Sequence, residues 1–395
     1  MFESLTQLPP DPILGLLSRF REDPRDHKID LGIGVYLDEQ GHTPIMGAVK
    51  EAERRLLETE QTKTYQNIAG DPLFGQLLSD MALGQSKTAV QDRLSVIQTP
   101  GGCGALCAGA SVLQRARPGA TVWVSTPTWV NHIPLIGGTG LRLKEYPYYQ
   151  PTTGGIDFDA MMSCLKHAES GDILLLHASC HNPTGADLSV DQWDVVVEEV
   201  LARGLVPFVD LAYQGLGDGM EQDSYGLRKL ASAVPEMVMA VSCSKNFGIY
   251  RERTGATMLL SETASKADAV MSHGMAAARQ MWSMPPSHGA AIVTTVLSDA
   301  DLKGAWAGEL ESSRQRILVM RERFEAGLRA NGANGDFSFI TRQKGMFSYL
   351  GISQEQINRL RDEYAVYIVD STRVNIAGMT PANVDYLAEA VSAVL

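Results

Sequence analysis

The middle of the chain alternates short, continuous apolar runs with segments of helical periodicity. Buried strands are predicted at residues 94–97, 122–124, 173–177, 205–210 and 237–241. Helices are predicted between several of these runs, one opening at Gly101 and another spanning 190–203. Continuous apolar runs separated by helices are typical of a mostly parallel sheet covered on both faces. The pattern therefore predicts an α/β fold.

The flanking segments have a different pattern. Amphipathic helices are predicted at 46–58 and 72–83, and longer ones after Pro285-Pro286, at 287–297 and 306–330. A smaller α+β group follows, with strands at 345–349, 366–369 and 373–376, a helix at 354–364 and a terminal helix. We expect an N-terminal arm at 1–12 that contacts a partner subunit, a small domain from 13–43 and 313–395, and a large domain at 44–312.

Composition and charge argue against several classes of function. The chain has 395 residues, more than one core usually holds, and a formal net charge of −12. This charge argues against nucleic acid or an anionic membrane as a partner. The five cysteines have no spacing typical of disulfides or of a metal site. No export signal or membrane-spanning run is recognisable, so we expect a cytoplasmic location.

Candidate chemistry lies directly after the predicted strands. The run 237–241 leads into Ser242-Cys243-Ser244-Lys245-Asn246, and Arg253 follows shortly afterwards. A lysine between small side chains has room to carry a large group as an imine, while serines and an arginine suit a phosphate. A single lysine is more often a solvated surface charge. Together, these residues indicate pyridoxal 5′-phosphate (PLP).

Other strand ends supply matching groups. Gly101-Gly102-Cys103-Gly104 lies between a strand and a helix, where backbone N–H groups can bind a phosphate. Asp210 ends an apolar run; by itself it could be a helix cap, but in a PLP site it would face the ring nitrogen. Asn182 and Tyr213 could donate to the ring 3-oxygen or belong to ordinary turns. Since carboxyl ends of parallel strands meet at one edge, we expect these residues to share a site.

The ordered motifs resemble those of one family. Ser-x-Ser-Lys-Asn, His181-Asn182-Pro183-Thr184-Gly185, Asp210-Leu211-Ala212-Tyr213 and Arg373-Val374-Asn375 are similar to the class I aspartate and aromatic amino-acid aminotransferases. The resemblance runs over essentially the whole chain. It implies a fold-type I PLP-dependent transferase, with a large domain built on a mostly parallel seven-stranded sheet covered by helices, and a smaller α+β domain. It also implies a homodimer with shared active sites.

The resemblance also implies residue roles. Lys245 would be the Schiff-base lysine and proton shuttle, and Asp210, supported by His132, would pair with the ring nitrogen. Tyr65, from the neighbouring subunit, would reach the cofactor phosphate and complete the catalytic set. The remaining cofactor contacts would come from Gly102, Cys103, Trp129, Asn182, Tyr213, Ser242 and Arg253. Substrate would contact Gly34, Trp129, Asn182, Arg279 and Arg373. No metal is expected.

The substrates implied are amino acids and 2-oxo acids. Arg373 would bind the α-carboxylate, and Arg279 of the partner subunit the distal carboxylate of aspartate or glutamate. Leu37, Thr64 and Met284 stand where strict aspartate enzymes often have polar residues. We therefore expect exchange between aromatic amino acids and/or aspartate and 2-oxoglutarate, ping-pong through pyridoxamine phosphate.

Alternatives remain open on the sequence alone. They are a strict aspartate aminotransferase, a PLP-dependent β-decarboxylase or C–S lyase, and an aminotransferase-like ligand-sensing protein without turnover. Cys103 stands where the family usually has Thr or Ser, and Cys107 where it usually has a basic residue. A thiol is a weaker donor than a hydroxyl, so we expect looser PLP retention.

Overall fold

The computed structural model describes residues 1–8 and 12–395, which form two compact units. The smaller unit comprises residues 1–43, 316–342 and 346–395, and the larger comprises 44–315 and 343–345. The sequence predicts domain boundaries after residues 12, 43 and 312. That division stays a prediction, and the two compact units have bounds of their own. Residues 9–11 of the expected arm lie outside the described residues, and a helix begins at Pro12.

A seven-stranded sheet organises the described part of the larger unit. In chain order its strands are β1 Leu94–Pro100, β2 Thr121–Thr126, β3 Arg142–Pro147, β4 Ile173–His177, β5 Val206–Leu211, β6 Met237–Ser242 and β7 Thr254–Leu260. Their spatial order is β1-β7-β6-β5-β4-β2-β3. Strand β7 is antiparallel to β1 and β6, and the other pairs are parallel. The mostly parallel α/β sheet predicted from the sequence is confirmed.

Helices surround this sheet, and several have clear end signals. Asp71 accepts from the N–H of Leu73 and precedes a proline, whereas Ser189 and Gln192 form a reciprocal capping box. The helices of this unit are Gly47–Thr59, Pro72–Leu83, Gly101–Ala116, His132–Gly137, Phe158–Leu165, Val190–Arg203, Tyr225–Ala233, Ala264–Met281 and His288–Ser298. A short antiparallel pair, Tyr149–Gln150 with Gly155–Ile156, also belongs here.

The register of the sheet aligns the ends of the central strands. His177, the last residue of β4, pairs with Asp210 of β5, and Asp210 pairs with Ala240 of β6. Below these ends the strands are buried, and side chains such as Phe208 pack into the core. Because apolar burial fixes the strands, the polar residues that follow them emerge at one edge of the sheet.

The smaller unit combines short strands with helices. Ile29–Asp30 pairs in parallel with Val366–Tyr367, and Phe347–Tyr349 pairs antiparallel with Arg373–Asn375. Its helices are Pro12–Glu22, Phe339–Arg342, Gln354–Tyr364 and Val384–Val394, and the helix Ala300–Ala330 has residues in both units. Among the described residues, no helix is both long enough and apolar enough to cross a membrane.

Candidate active site

The carboxyl ends of the central strands surround a cavity of about 200 Å³. Most of the residues expected at one site line it: Gly102, Cys103, Trp129, Asn182, Asp210, Tyr213, Ser242, Lys245 and Arg253. Leu106, His177, Ala212 and Ser244 line it as well. The cavity thus combines one amine, one carboxylate and several neutral donors within the larger unit.

One wall of the cavity is a close approach of backbone and polar side chains. Gly101 has φ +73°, and a Cβ there would lie 2.8 Å from Nη2 of Arg253. A Cβ on Gly102 would lie 3.2 Å from Cβ of Ser242. The positive φ therefore favours glycine at 101, and a side chain at 102 would be crowded by Ser242, where the helix Gly101–Ala116 begins. The first N–H groups of this helix, the Ser242 hydroxyl and the Arg253 guanidinium form a cradle suited to a phosphate.

A buried carboxylate lies at the opposite side of the site. Asp210 is 7 % exposed, and its Oδ2 is 3.0 Å from Nε2 of His132. Burial alone would raise the pKa of Asp210, but the hydrogen bond with His132 and nearby positive charge, including that of Lys245, outweigh burial, and the pKa is lowered. Asp210 is therefore an anion at neutral pH, as a partner for a protonated ring nitrogen must be.

A chain of hydrogen bonds fixes the orientation of His132. The backbone N–H of Asn182 donates to Nδ1 of His177 at 3.4 Å, so that the proton of His177 is on Nε2, 3.2 Å from Oγ1 of Thr128. Thr128 can then donate to Nδ1 of His132, at 2.8 Å, and leave Nε2–H of His132 to donate to Asp210. Burial lowers the pKa of His177 to about 3, which keeps this ring neutral.

Sequence reasoning missed two members of this chain, His177 and Thr128. His177 had a usable signal, because it is the polar residue that ends the apolar run 173–177, just as Asp210 ends the run 205–210. Thr128 had none, since a threonine after a proline is typical of an ordinary turn.

The amine and the two neutral donors lie together. Nζ of Lys245 is 5.0 Å from the ring centroid of Tyr213, and Nδ2 of Asn182 is 3.3 Å from the hydroxyl of Tyr213. Trp129 is half-buried and meets the His132 ring edge-on at 5.4 Å. Lys245 can therefore reach the same space as the hydroxyl and amide donors.

The structure places four of the expected site residues elsewhere. In the larger unit, Tyr65 is 89 % exposed, and the exposed Arg279 donates to Oγ of Ser283 at 2.7 Å. In the smaller unit, Arg373 is buried, donates to the carbonyl of Gly32 at 2.6 Å and stacks on Phe347. A Cβ on Gly34 would lie 2.8 Å from Cζ of Phe347.

Comparison with known proteins identifies the family. The model of the family "Aminotransferase class I and II" matches residues 26–391. The aspartate aminotransferase of Salmonella typhi is 47% identical over 396 residues and covers 100% of both chains. The aromatic-amino-acid aminotransferase of Pseudomonas aeruginosa is 45% identical, covering 100% of this chain and 98% of its own. The chain belongs to the class I and II aminotransferases.

A solved structure shows the same fold with its cofactor. The aromatic-amino-acid aminotransferase of Burkholderia pseudomallei, covalently bound to pyridoxal phosphate, superposes with a TM-score of 0.97 at 40% identity, covering 100% of this chain and 99% of its own. This aminotransferase is therefore a fold-type I enzyme, as the motifs implied.

The cavity fits PLP. An amine for the aldehyde, an anionic carboxylate for the ring nitrogen and a cradle that excludes any Cβ for the phosphate are all present around one space. PLP is the cofactor of this aminotransferase.

Proposed function

We propose that this aminotransferase exchanges the amino group between aromatic amino acids or aspartate and 2-oxoglutarate. The observation that carries the proposal is the single cavity that holds Lys245, the anionic Asp210 and the glycine cradle at the strand ends. When bound there, PLP draws electrons from the substrate α-carbon and stores the amino group between the two half-reactions.

The proposed roles of the residues are those that the family resemblance implies. Lys245 would hold the cofactor, and its amine would move the proton at the substrate α-carbon. Asp210, oriented by His132, would keep a proton on the ring nitrogen. Asn182 and Tyr213 would donate to the 3-oxygen, and Trp129 would cover the ring. Gly102, Cys103, Ser242 and Arg253 would hold the phosphate.

Substrate recognition depends on residues outside the cavity wall. Arg373 binds the α-carboxylate as a planar two-pronged donor, and the chain at Gly34 covers the substrate. Arg279 binds the distal carboxylate of a dicarboxylic substrate. The resemblance places Leu37, Thr64 and Met284 where strict aspartate enzymes often have more polar residues, and this favours an aromatic substrate as well. Met284 accepts from the N–H of Gln66 through its sulfur, at 3.3 Å.

The exposure of two of these residues supports a homodimer. Tyr65 and Arg279 both extend into solvent on the single chain, although the family pattern assigns them to phosphate and substrate. We propose that each serves the site of the partner subunit, and that exposed apolar side chains such as Leu5, Leu8 and Leu57 are covered in the dimer.

Steady-state kinetics with 2-oxoglutarate as acceptor test the substrate range. We expect kcat/KM for phenylalanine and tyrosine within about a hundredfold of that for aspartate, since burying a ring contributes roughly 1.5–3 kcal/mol. The Arg279→Ala variant should lower kcat/KM for aspartate by about 10- to 150-fold, the equivalent of one charge-assisted hydrogen bond of ~1.5–3 kcal/mol. It should leave phenylalanine nearly unaffected.

The matched control is Arg115→Ala. Arg115 donates to Oε1 of Gln280, the residue next to Arg279, and has no proposed substrate contact. Aromatic rates at background would replace the proposal with a strict aspartate aminotransferase, which the 47% identical relative favours. Absence of pyridoxamine phosphate after a single turnover would exclude transamination.

A further inference from the structure

Two aspartates lie behind the loops that carry Asn182 and Tyr213. Asp187 follows the Asn182 turn, and Asp223 follows the loop that begins at Tyr213. Both line a second cavity, of about 320 Å³, separate from the set of residues around Lys245. Asp223 is buried and Asp187 is partly buried, and neither has a role in the proposed chemistry.

Asp187 organises the backbone just before Asn182. Its Oδ2 accepts the N–H of Cys180 at 2.6 Å, and its Oδ1 accepts the N–H of His181 at 2.8 Å. Cys180 has φ +53°, a left-handed conformation that non-glycine residues rarely adopt. Two successive N–H groups donate to one carboxylate and so stabilise this conformation. The backbone position of the following residue, Asn182, is thereby fixed.

Asp223 does the same for the loop after Tyr213. It is 3 % exposed and accepts three backbone N–H groups, from Gly215 at 2.8 Å, Gly217 at 2.9 Å and Asp218 at 2.8 Å. A Cβ on Gly217 would lie 2.6 Å from Oδ1 of Asp223 and 3.0 Å from Sγ of Cys180. The two loops are thus packed against each other with no room for a side chain at Gly217.

The two loops are also linked to a third segment. The N–H of Lys344 donates to the carbonyl of Gly185 at 2.7 Å, and its Nζ pairs with Asp218. Besides Asp218 and Lys344, the charged groups facing these aspartates are Glu221, which lines the same cavity, and Arg314, which donates to the carbonyl of Gly217 at 3.4 Å. Burial raises the pKa of Asp223 to about 6, and the negative charge of Asp187 contributes to this rise. The two carboxylates are therefore electrostatically coupled.

We propose that Asp187 and Asp223 are positioning residues that set the placement of Asn182 and Tyr213, and through them the hydrogen bonding to the cofactor 3-oxygen. The proposal rests on the assignment of Asn182 and Tyr213 in the proposed function. These two side chains are 3.3 Å apart, and each is only a few residues from a backbone segment held by one of the aspartates.

A pH titration of the visible absorbance of the holoenzyme tests this role. Donors to the 3-oxygen stabilise its negative charge and so lower the pKa of the lysine-bound chromophore. In Asp187→Asn and Asp223→Asn, an amide NH2 faces backbone N–H groups, and the loops shift. We expect the chromophore pKa to rise by about half a unit or more in each variant.

The matched control is Asp172→Asn at the opposite end of β4. Asp172 is a buried carboxylate that accepts the N–H of Thr121 and of Glu169 and the indole N–H of Trp123. This variant should lose stability but keep the wild-type chromophore pKa. An equal shift in the control, or wild-type values in Asp187→Asn and Asp223→Asn, would overturn the proposal.

Further variants keep the test decisive. If either asparagine variant does not fold, Asp187→Glu and Asp223→Glu keep the charge but displace it by one methylene, and a smaller rise in the chromophore pKa is expected. Wild-type titration in both folded glutamate variants overturns the proposal. A wild-type holoenzyme without a visible chromophore would instead contradict the proposed function itself.

Discussion

At the scale of single residues, the sequence identified side chains whose type and position at the ends of apolar runs together suggested chemistry. Lys245, Asp210 and Asn182 follow apolar runs, and the structure brings all three to one cavity. His177 and Thr128 were missed because their contribution is a hydrogen bond to another side chain, which only the folded geometry shows. Tyr65 and Arg279 could be named only from the family pattern, since on the single chain both are exposed.

Cys103 lines the cavity at the third position of the helix Gly101–Ala116. The family resemblance predicts that a threonine or serine hydroxyl is more usual at this position. We predict that Cys103→Thr slows PLP dissociation by about 2- to 10-fold, because one added hydrogen bond contributes ~0.5–1.5 kcal/mol. The rate of absorbance loss during dialysis against a PLP scavenger measures this.

Cys164→Ser is the control for that comparison. Cys164 is a partly buried cysteine on a different helix, with Sγ near the carbonyl of Glu145, and it does not line the cavity. Its substitution should leave the dissociation rate unchanged. Equal rates for wild type and Cys103→Thr would show that the thiol does not weaken the phosphate site.

At the scale of helices and strands, the predictions agree best with the structure where residues at the ends of an element mark its bounds. The helices Pro72–Leu83 and Val190–Arg203 were predicted with their observed bounds, because a capping aspartate with a proline marks the first, and a capping box with the left-handed Gly204 marks the second. Strand β7 and the helix Ala264–Met281 were not predicted. Strand β7 runs antiparallel to both of its neighbours, β1 and β6. Its direction therefore depends on pairing, and β1 is distant from it in sequence.

The free energy of unfolding should depend on pH partly through a histidine in the turn between β4 and the helix Val190–Arg203. His181 is buried between Oγ of Ser125 and Oγ1 of Thr184, and burial holds its pKa well below the usual range. The folded state therefore cannot bind the proton that the unfolded chain binds below about pH 6.5, and stability is lost as the pH falls. His181→Gln removes this contribution.

Urea unfolding at pH 7 and pH 5 tests that effect. As the pH is lowered, the free energy of unfolding of the wild type should fall more steeply than that of His181→Gln. The difference in slope should be up to about 1.4 kcal/mol per pH unit below pH 6.5. The exposed His167 provides a control, and His167→Gln should keep the wild-type slope. Identical slopes for His181→Gln and wild type would show that this imidazole does titrate in the folded state.

At the scale of the whole molecule, the chain divides into two compact units, and each contains some of the residues that we predict to act at the site. The larger unit holds Lys245 and Asp210, whereas Arg373 and Gly34 belong to the smaller unit. The sequence predicted the α/β sheet from apolar runs, because burial on both faces leaves a clear pattern. The pairing of β7 left no such pattern, since it depends on distant parts of the chain, and neither did the proposed subunit contacts, which would depend on a second copy.

The central claim is that Lys245 holds PLP opposite the carboxylate of Asp210. Borohydride reduction of the holoenzyme, followed by proteolysis and peptide mapping, tests it most directly. We predict that the reduced cofactor is found on the peptide containing Lys245, and that Lys245→Ala gives no labelled peptide. A label on another lysine, or an unmodified Lys245 in fully loaded protein, would contradict the account.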